Sequence, residues 1–423
     1  MSLKRFTSHT IASCAVIAAA SLLSSCANGQ TTPLPENKPM FASAHPVVAQ
    51  RLLLAHYMPW FEADPAQNRW GWHWTMQHFN PGQIVDGRRQ IAAKQYPLLG
   101  VYDSNDEKTL DCQVQLMKLA GFDGPIIDWY GTYDYLDYGI NHRNAQHLVK
   151  VLDQAGMKFA AVYEDEVAMN RLVADGKITA DQTVTQGKAS LQWMQDNWFS
   201  QPNYVALEGH PVLLSFGTRG YFDADQWNDI FSSLPSRPAL FTEYTPRAGA
   251  VGGFGWPAPD QDTPTSMPHL DWSYNMAKNA QAFIAPAWTR FDDIYAEAGQ
   301  HSWGHIADDG GKIYQTTLTR ALQSDAPLIQ VATWNDWGEG TEIEPSVEYG
   351  YRDLETTQRL RRKYLDPKFP YTSADLRLPV KLLALRRKYE NDPTTSTKLT
   401  AISDMLLAGK VDQARSALKA YPG

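Results

Sequence analysis

Seven short apolar runs and a weaker eighth recur between residues 51 and 333, with helical patterns between them, and this alternation constrains the fold more than any other feature. The runs are expected as strands at Leu52 to His56, Pro125 to Asp128, Lys158 to Tyr163, Val212 to Phe216, Ala239 to Thr242, Phe283 to Ala287 and Leu328 to Thr333, with the weaker one at Gly253 to Trp256. They are near-continuously apolar, as strands buried on both faces must be. Between them the apolar residues fall three and four apart. Leu110, Val114 and Met117 share one face of Thr109 to Ala120, and Gly121 is placed to end that helix. Asn144 to Ala155, Leu191 to Trp198 and Tyr314 to Ser324 repeat the theme. Strands and helices in this order make a parallel sheet in the α/β class, and seven or eight units over roughly 310 residues fit a closed (β/α)8 TIM-like barrel better than an open sheet. No Gly-x-Gly-x-x-Gly or Walker-type loop follows any strand, which argues against a nucleotide-binding fold.

The two ends of the chain differ from this middle. The N-terminus has Lys4 and Arg5, then an apolar run from Ile11 to Leu23 that is short for a membrane span. It ends in Leu23-Ser24-Ser25-Cys26, which looks like a bacterial lipobox, so 1–26 is expected to be a lipoprotein leader and Cys26 the lipidated residue. Ala27 carries no Asp-type retention signal, so the lipid-anchored protein is expected in the cell envelope, at the outer membrane. Residues 27–48, rich in Pro, Asn and small side chains, form a tether. The catalytic barrel is expected over 49–366. Residues 367–423 show helical faces only (Leu378, Leu382 and Leu385; then Ile402, Met405 and Leu406) and are expected as a helical appendage. Of the cysteines only Cys112 stays in the mature body as a free thiol, on an amphipathic segment, where packing is its expected role. A net charge of −8 argues against a nucleic-acid partner. The expected state is a monomer acting on a polysaccharide or oligosaccharide, with no cofactor.

The polar residues gather where a barrel keeps its chemistry, at the C-terminal ends of the strands. His56 and Tyr57, Asp128 and Trp129, Glu164, Glu243, and Asn335 with Asp336 and Glu339 all stand there. The last strand runs into "ATWNDWGEGTEIEPSVEYGY", residues 332–351, which holds Asp336, Glu339, Glu342, Glu344 and Glu348 among Trp334, Trp337, Tyr349 and Tyr351. Like charges so close destabilise a fold unless they serve a purpose. Asp336 and Glu339, three apart on a glycine-bearing loop, can both face the barrel mouth as the acid and the base or nucleophile of glycoside cleavage. Asn335 is placed to orient either group or hold a sugar hydroxyl. The competing readings are acids decorating a helix N-terminus and a Ca²⁺ site built from Asp336, Glu339, Glu342 and Glu344, whose spacing matches no known loop; no metal is expected. Aromatic residues are 12% of the chain, 14 of them Trp. Tyr57, Trp60, Trp72, Trp74, Trp129 and Trp337, with His73, are candidate sugar contacts, and at least two of the first five are expected to be solvent-accessible within reach of Asp336 and Glu339.

The ordered set "HYMPWF", "GWHW", "GFDGPIIDWYG", "VYEDE", "PVLLSFG", "FGWP", "RFDDIYAEAG" and "ATWNDWGEGTEIEP", spread over about residues 51 to 365, resembles the glycoside hydrolase family 71/99-like proteins. The resemblance implies a (β/α)8 barrel that hydrolyses an α-linked polysaccharide. It also implies roles: Asp336 as base toward the substrate 2-hydroxyl, Glu339 as general acid and Glu164 as a substrate-binding acid. Family 99 endo-α-mannosidases have Glu where this chain has the shorter Asp336. The Asn-Asp-x-Gly-Glu pattern is closer to the α-1,3-glucanases of family 71, so α-mannan and α-glucan both stand as substrates.

Overall fold

The computed structural model describes residues 40–41, 50–217, 222–259 and 266–421; the leader, Cys26 and nearly all of the 27–48 tether lie outside them. Eight parallel strands form the centre: β1 (Leu52–Tyr57), β2 (Gly124–Trp129), β3 (Ala160–Tyr163), β4 (His210–Ser215), β5 (Ala239–Glu243), β6 (Gly252–Phe254), β7 (Ala282–Trp288) and β8 (Leu328–Ala332). Each pairs with the next in chain order, and β8 pairs back to β1 with Leu52 opposite Leu328, so the sheet closes into a (β/α)8 barrel. Every residue of β2, β3, β5, β6, β7 and β8 is buried, which is why these strands read as near-continuous apolar runs.

Two glycines mark where backbones approach most closely. A Cβ on Gly124 would stand 1.7 Å from the Lys158 carbonyl oxygen, and one on Gly252 would stand 2.0 Å from that of Ala282. Neither strand can enter the barrel with a side chain at that position. Gly252 opens β6, the run with the weakest strand pattern. No helix joins β5 to β6; residues 244–251 cross over in a turn that holds Tyr244 at φ 57°. Strand ends also differ slightly from the sequence reading. β4 stops at Ser215 and β6 at Phe254, which releases Phe216 and Trp256 into the loops above the barrel.

Helix Glu107–Ala120 starts on the side chain of Asp106 and ends at Gly121 in the left-handed conformation. The appendage packs against it through helices Arg377–Lys388 and Pro393–Leu407, with Val411–Ala417 following. The contact is polar as well as apolar. Arg386 pairs with buried Asp111, Ser403 Oγ donates to Asp111 at 2.9 Å, and Gln115 donates to Ser403 Oγ at 2.7 Å. Lys118 Nζ donates to the carbonyls of Ala155 and Leu407, both at 2.6 Å, and so finishes a barrel helix and an appendage helix together. Cys112 lies buried on the same helix. Among the described residues no helix is long and apolar enough to cross a membrane.

Candidate active site

The loop after β8 is tied at several points to its own backbone and to β1. Asp336 N donates to Thr333 Oγ1 at 2.8 Å, Glu344 N donates to the Trp334 carbonyl at 2.8 Å, and Trp334 N donates to that of His56 at 2.6 Å. The chain reverses at Gly340, φ +65°, where a Cβ would come within 2.6 Å of the Asp292 carbonyl oxygen. Glycine is required there both for the dihedral and for the space.

The five carboxylates of this loop divide by destination. Glu348 lies outermost, accepting from Arg88 at 2.9 Å and from Tyr96 N at 2.8 Å. Glu344 points inward, accepting from Gln113 at 2.7 Å and from the Tyr102 hydroxyl at 2.9 Å; burial lifts it to about 7. Glu342, fully buried, receives Arg290 at 2.9 Å and is likewise lifted to about 7 by burial, against the pull of that arginine. Glu342 and Glu344 are thus committed to protein partners, so the four-acid Ca²⁺ reading does not assemble. Asp336 and Glu339 alone of the five line the cleft at the barrel mouth.

Glu164, Asp336 and Glu339 supply the carboxyls of that cleft, and Trp60, Trp72, His73, Tyr130, Trp256 and Tyr295 much of its wall; among the described residues no Lys or Arg lines it. Asp336 Oδ1 accepts from Glu339 N at 3.0 Å, so the two acids are held in fixed relation. Burial raises Asp336 to about 6, the neighbouring N–H groups and His73 pulling the other way. Burial and then the charge of Asp336 hold Glu339 well above the usual carboxylate range. Trp256 Nε1 donates to Glu339 Oε2 at 3.4 Å. Deeper in the mouth Glu164 and Asp128 hydrogen-bond to each other; burial raises both well above the usual carboxylate range, and the charge of Asp128 adds to the pressure on Glu164 to stay neutral. Glu243 accepts from Gly217 N at 3.0 Å and is raised by burial to about 7.

The residues singled out from the sequence separate into two groups. Trp60, Trp72, His73, Glu164, Asp336 and Glu339 are in the cleft wall, and Asp128 sits behind Glu164. His73 stacks on Trp60 at 4.1 Å and pairs with Asp137 at 3.0 Å, whereas His78 is exposed. The others do not reach the cleft as sugar contacts. Trp129 points out of the barrel into Tyr163, Trp193 and Trp198 and donates to His142. Tyr57, Trp74, Asn335 and Trp337 are fully buried around Tyr102. Asn335 and Trp337 each donate to the Tyr102 hydroxyl at 3.1 Å, and Trp74 donates to its carbonyl at 2.8 Å. Tyr57 donates to Gln113, which in turn holds Glu344. Asn335 also closes a two-way clamp on the Met58 backbone, accepting at 2.8 Å and donating at 3.0 Å. These side chains support the loop from behind. Sequence reasoning passed over Tyr102, the centre of that support, and the cleft residues Tyr130, Trp256 and Tyr295. Tyr130 and Tyr295 stand in quoted motifs, directly after Trp129 and five residues after Arg290.

A closed parallel barrel with paired acids in an aromatic-walled mouth is the architecture of the glycosidase-like (β/α)8 proteins. In sequence the chain is similar to the glycoprotein endo-alpha-1,2-mannosidase of Mus musculus, 24% identical over 333 residues that span 70% of this chain and 68% of that one. The corresponding protein of Rattus norvegicus is 23% identical over 376 residues, 77% of each chain. In fold it is similar to the GH99 endo-alpha-mannosidase from Bacteroides thetaiotaomicron in complex with bis-tris propane, with a TM-score of 0.55 and 17% identity over 75% of this chain and 98% of that one. A glycoside hydrolase-like protein matches with a TM-score of 0.52 and 12% identity over 80% of this chain and 98% of its own. No family model matches the chain. Sequence and fold together make it a protein similar to glycoside hydrolase family 99.

Proposed function

We propose that this chain is a glycoside hydrolase that cleaves an α-linked, mannose-containing glycan with Asp336 and Glu339. The observation that carries the reading is the pair itself: two buried acids joined through one backbone hydrogen bond, in an aromatic-walled cleft. Glu339, kept protonated by its surroundings, donates to the leaving glycosidic oxygen. Asp336 is tied through Oδ1 and uses its other oxygen as base, toward water or a substrate hydroxyl, or as nucleophile. Similarity to the endo-alpha-1,2-mannosidases favours α-mannosides, and α-glucans are the second substrate class to assay. Reducing-end release from α-mannan, α-glucan and capsular polysaccharide tests the proposal; binding of all three without release would make the chain a binding barrel instead.

The electrostatics set an expected pH profile. Activity requires Asp336 ionised and Glu339 protonated, so kcat/KM should rise with pH through about 6 and fall only once Glu339 loses its proton, well above the ordinary carboxylate range. A profile that declines from pH 5 upward would assign the acid and base to other groups.

The same proposal puts the enzyme on the cell envelope, held by lipid on Cys26 at the outer membrane as a monomer, facing either the periplasm or the surface. Its support is the Leu23-Ser24-Ser25-Cys26 sequence and the tether that follows. Cys26→Ala should move the protein out of the membrane fraction; a wild-type protein recovered without lipid, starting at another residue, would remove the anchor.

A further inference from the structure

Arg290, immediately beyond β7, is 2% exposed, and its guanidinium is used on several sides. Nη2 donates to both the carboxylate (2.9 Å) and the carbonyl (2.6 Å) of Glu342, and Nη1 donates to Asp308 and Asp353, each at 3.1 Å. Arg352 binds the same two aspartates from the outer side, at 2.8 Å to Asp308 Oδ2 and 2.9 Å to Asp353 Oδ1. The Tyr349 ring packs against both cations, 3.8 Å from Arg290 and 4.6 Å from Arg352.

The segment that carries Arg290 runs alongside the carboxylate loop and bonds to it repeatedly. Thr289 Oγ1 donates to the Thr341 carbonyl at 3.0 Å, Asp292 N to that of Glu339 at 2.8 Å, and Ile294 N to that of Gly338 at 3.0 Å. Glu339 is therefore gripped at both backbone ends, its N–H by Asp336 and its carbonyl by Asp292. The remaining bonds in this seam are between neutral groups; Arg290 is its charged fastening, bridging β7, the loop and helix Arg352–Tyr364.

We propose that Arg290 is a positioning residue for the Asp336–Glu339 pair: by locking Glu342 it sets the register between the two segments and thereby the aim of the Glu339 carboxyl into the cleft. The inference rests on the function proposed above. A lysine cannot replace the arginine fully, because a single ammonium cannot span the carbonyl and carboxylate of one residue and two aspartates. A shift of about 1 Å in a reacting group can cost on the order of 100-fold in rate. Loss of register should thus appear in kcat, leaving ground-state glycan binding nearly intact.

Arg290→Met, Arg290→Lys and Glu342→Gln would be assayed well below their melting temperatures on an α-manno-oligosaccharide, with hydrogen exchange of residues 336–342 measured in parallel. The expected result is a kcat roughly 10- to 100-fold lower in Arg290→Met at nearly unchanged KM, partial recovery in Arg290→Lys, and faster exchange across the loop. Glu342→Gln keeps the side-chain length and an acceptor oxygen, so it carries the test if Arg290→Met does not fold. Folded variants with wild-type kcat, or with only KM raised, would overturn the proposal whatever their melting temperatures. If the wild type releases no sugar, the function reading fails on that result alone, and unchanged exchange in the variants would separately sink the positioning role.

Discussion

Glu339→Gln should lower kcat on unactivated glycans by roughly two to four orders of magnitude while leaving oligosaccharide binding close to wild type. The amide retains the size of the acid and its contact with Trp256, but it cannot deliver a proton to a leaving oxygen. Glycosides with a nitrophenyl or fluoride leaving group need less protonation, so the variant should recover part of its rate on them. Asp336→Asn should lose activity on both substrate types, since a base or nucleophile is needed whatever departs. Stability gives an independent reading. Burial raises both carboxyls above their ordinary values, so their contribution favours folding below the unfolded-state pKa and is lost as pH rises through the folded-state pKa. Either amide variant should accordingly melt at or above the wild-type temperature at pH 8, with the advantage shrinking toward pH 5. Full activity in both variants, or collapse of the fold in both, would show that these acids hold the structure together instead of reacting.

The second large effect is expected far from the cleft. Arg386→Met removes the cation that faces Asp111 inside the contact between the appendage and helix Glu107–Ala120. Asp111 is 6% exposed, and burial already raises its pKa against the pull of Arg386. A buried carboxylate stripped of its partner typically costs about 3–5 kcal/mol. Asp111 would then take up a proton in the folded state, so the penalty should be largest at neutral pH and diminish as the pH falls toward the carboxylate range. Asp111→Asn combined with Arg386→Met should restore much of the loss, since the amide can still accept from Ser403 without carrying charge. Urea unfolding of the set at two pH values decides it. A single variant as stable as wild type would mean that the appendage rests on its apolar contacts alone.

The barrel was legible in the sequence because two-sided burial leaves a near-continuous apolar run, and each of the eight runs overlaps an observed strand. Boundaries were less legible. Phe216 and Trp256 continue their runs in hydrophobicity yet turn into the cleft, and hydrophobicity alone does not distinguish a core ring from a cleft ring. Orientation was lost in the same way. Asp128 and Trp129 are adjacent, so one faces the barrel interior and the other the helices, and only the strand's own alternation decides which. Trp337 lies between Asp336 and Glu339 in sequence but turns back toward Tyr102. Tyr102 itself gave no sign: it precedes the first large helix in an irregular stretch, and its hydrogen-bond partners come from residues as far apart as 74 and 344. The acid pair was legible because two carboxylates with glycines after a strong strand have few structural uses.

The closure of the sheet has a bearing on how the molecule comes into being. β1 is made early, yet its second neighbour is β8, and Arg51 at its start fastens onto the carbonyls of Ala321, Leu322 and Ala326. Bringing together ends so distant costs chain entropy that local contacts cannot offset beforehand. Until the last strand emerges from the ribosome, then, the first has an open edge and no shut cylinder to belong to. A nascent chain of this design therefore cannot shut its barrel until nearly all eight strands have been made.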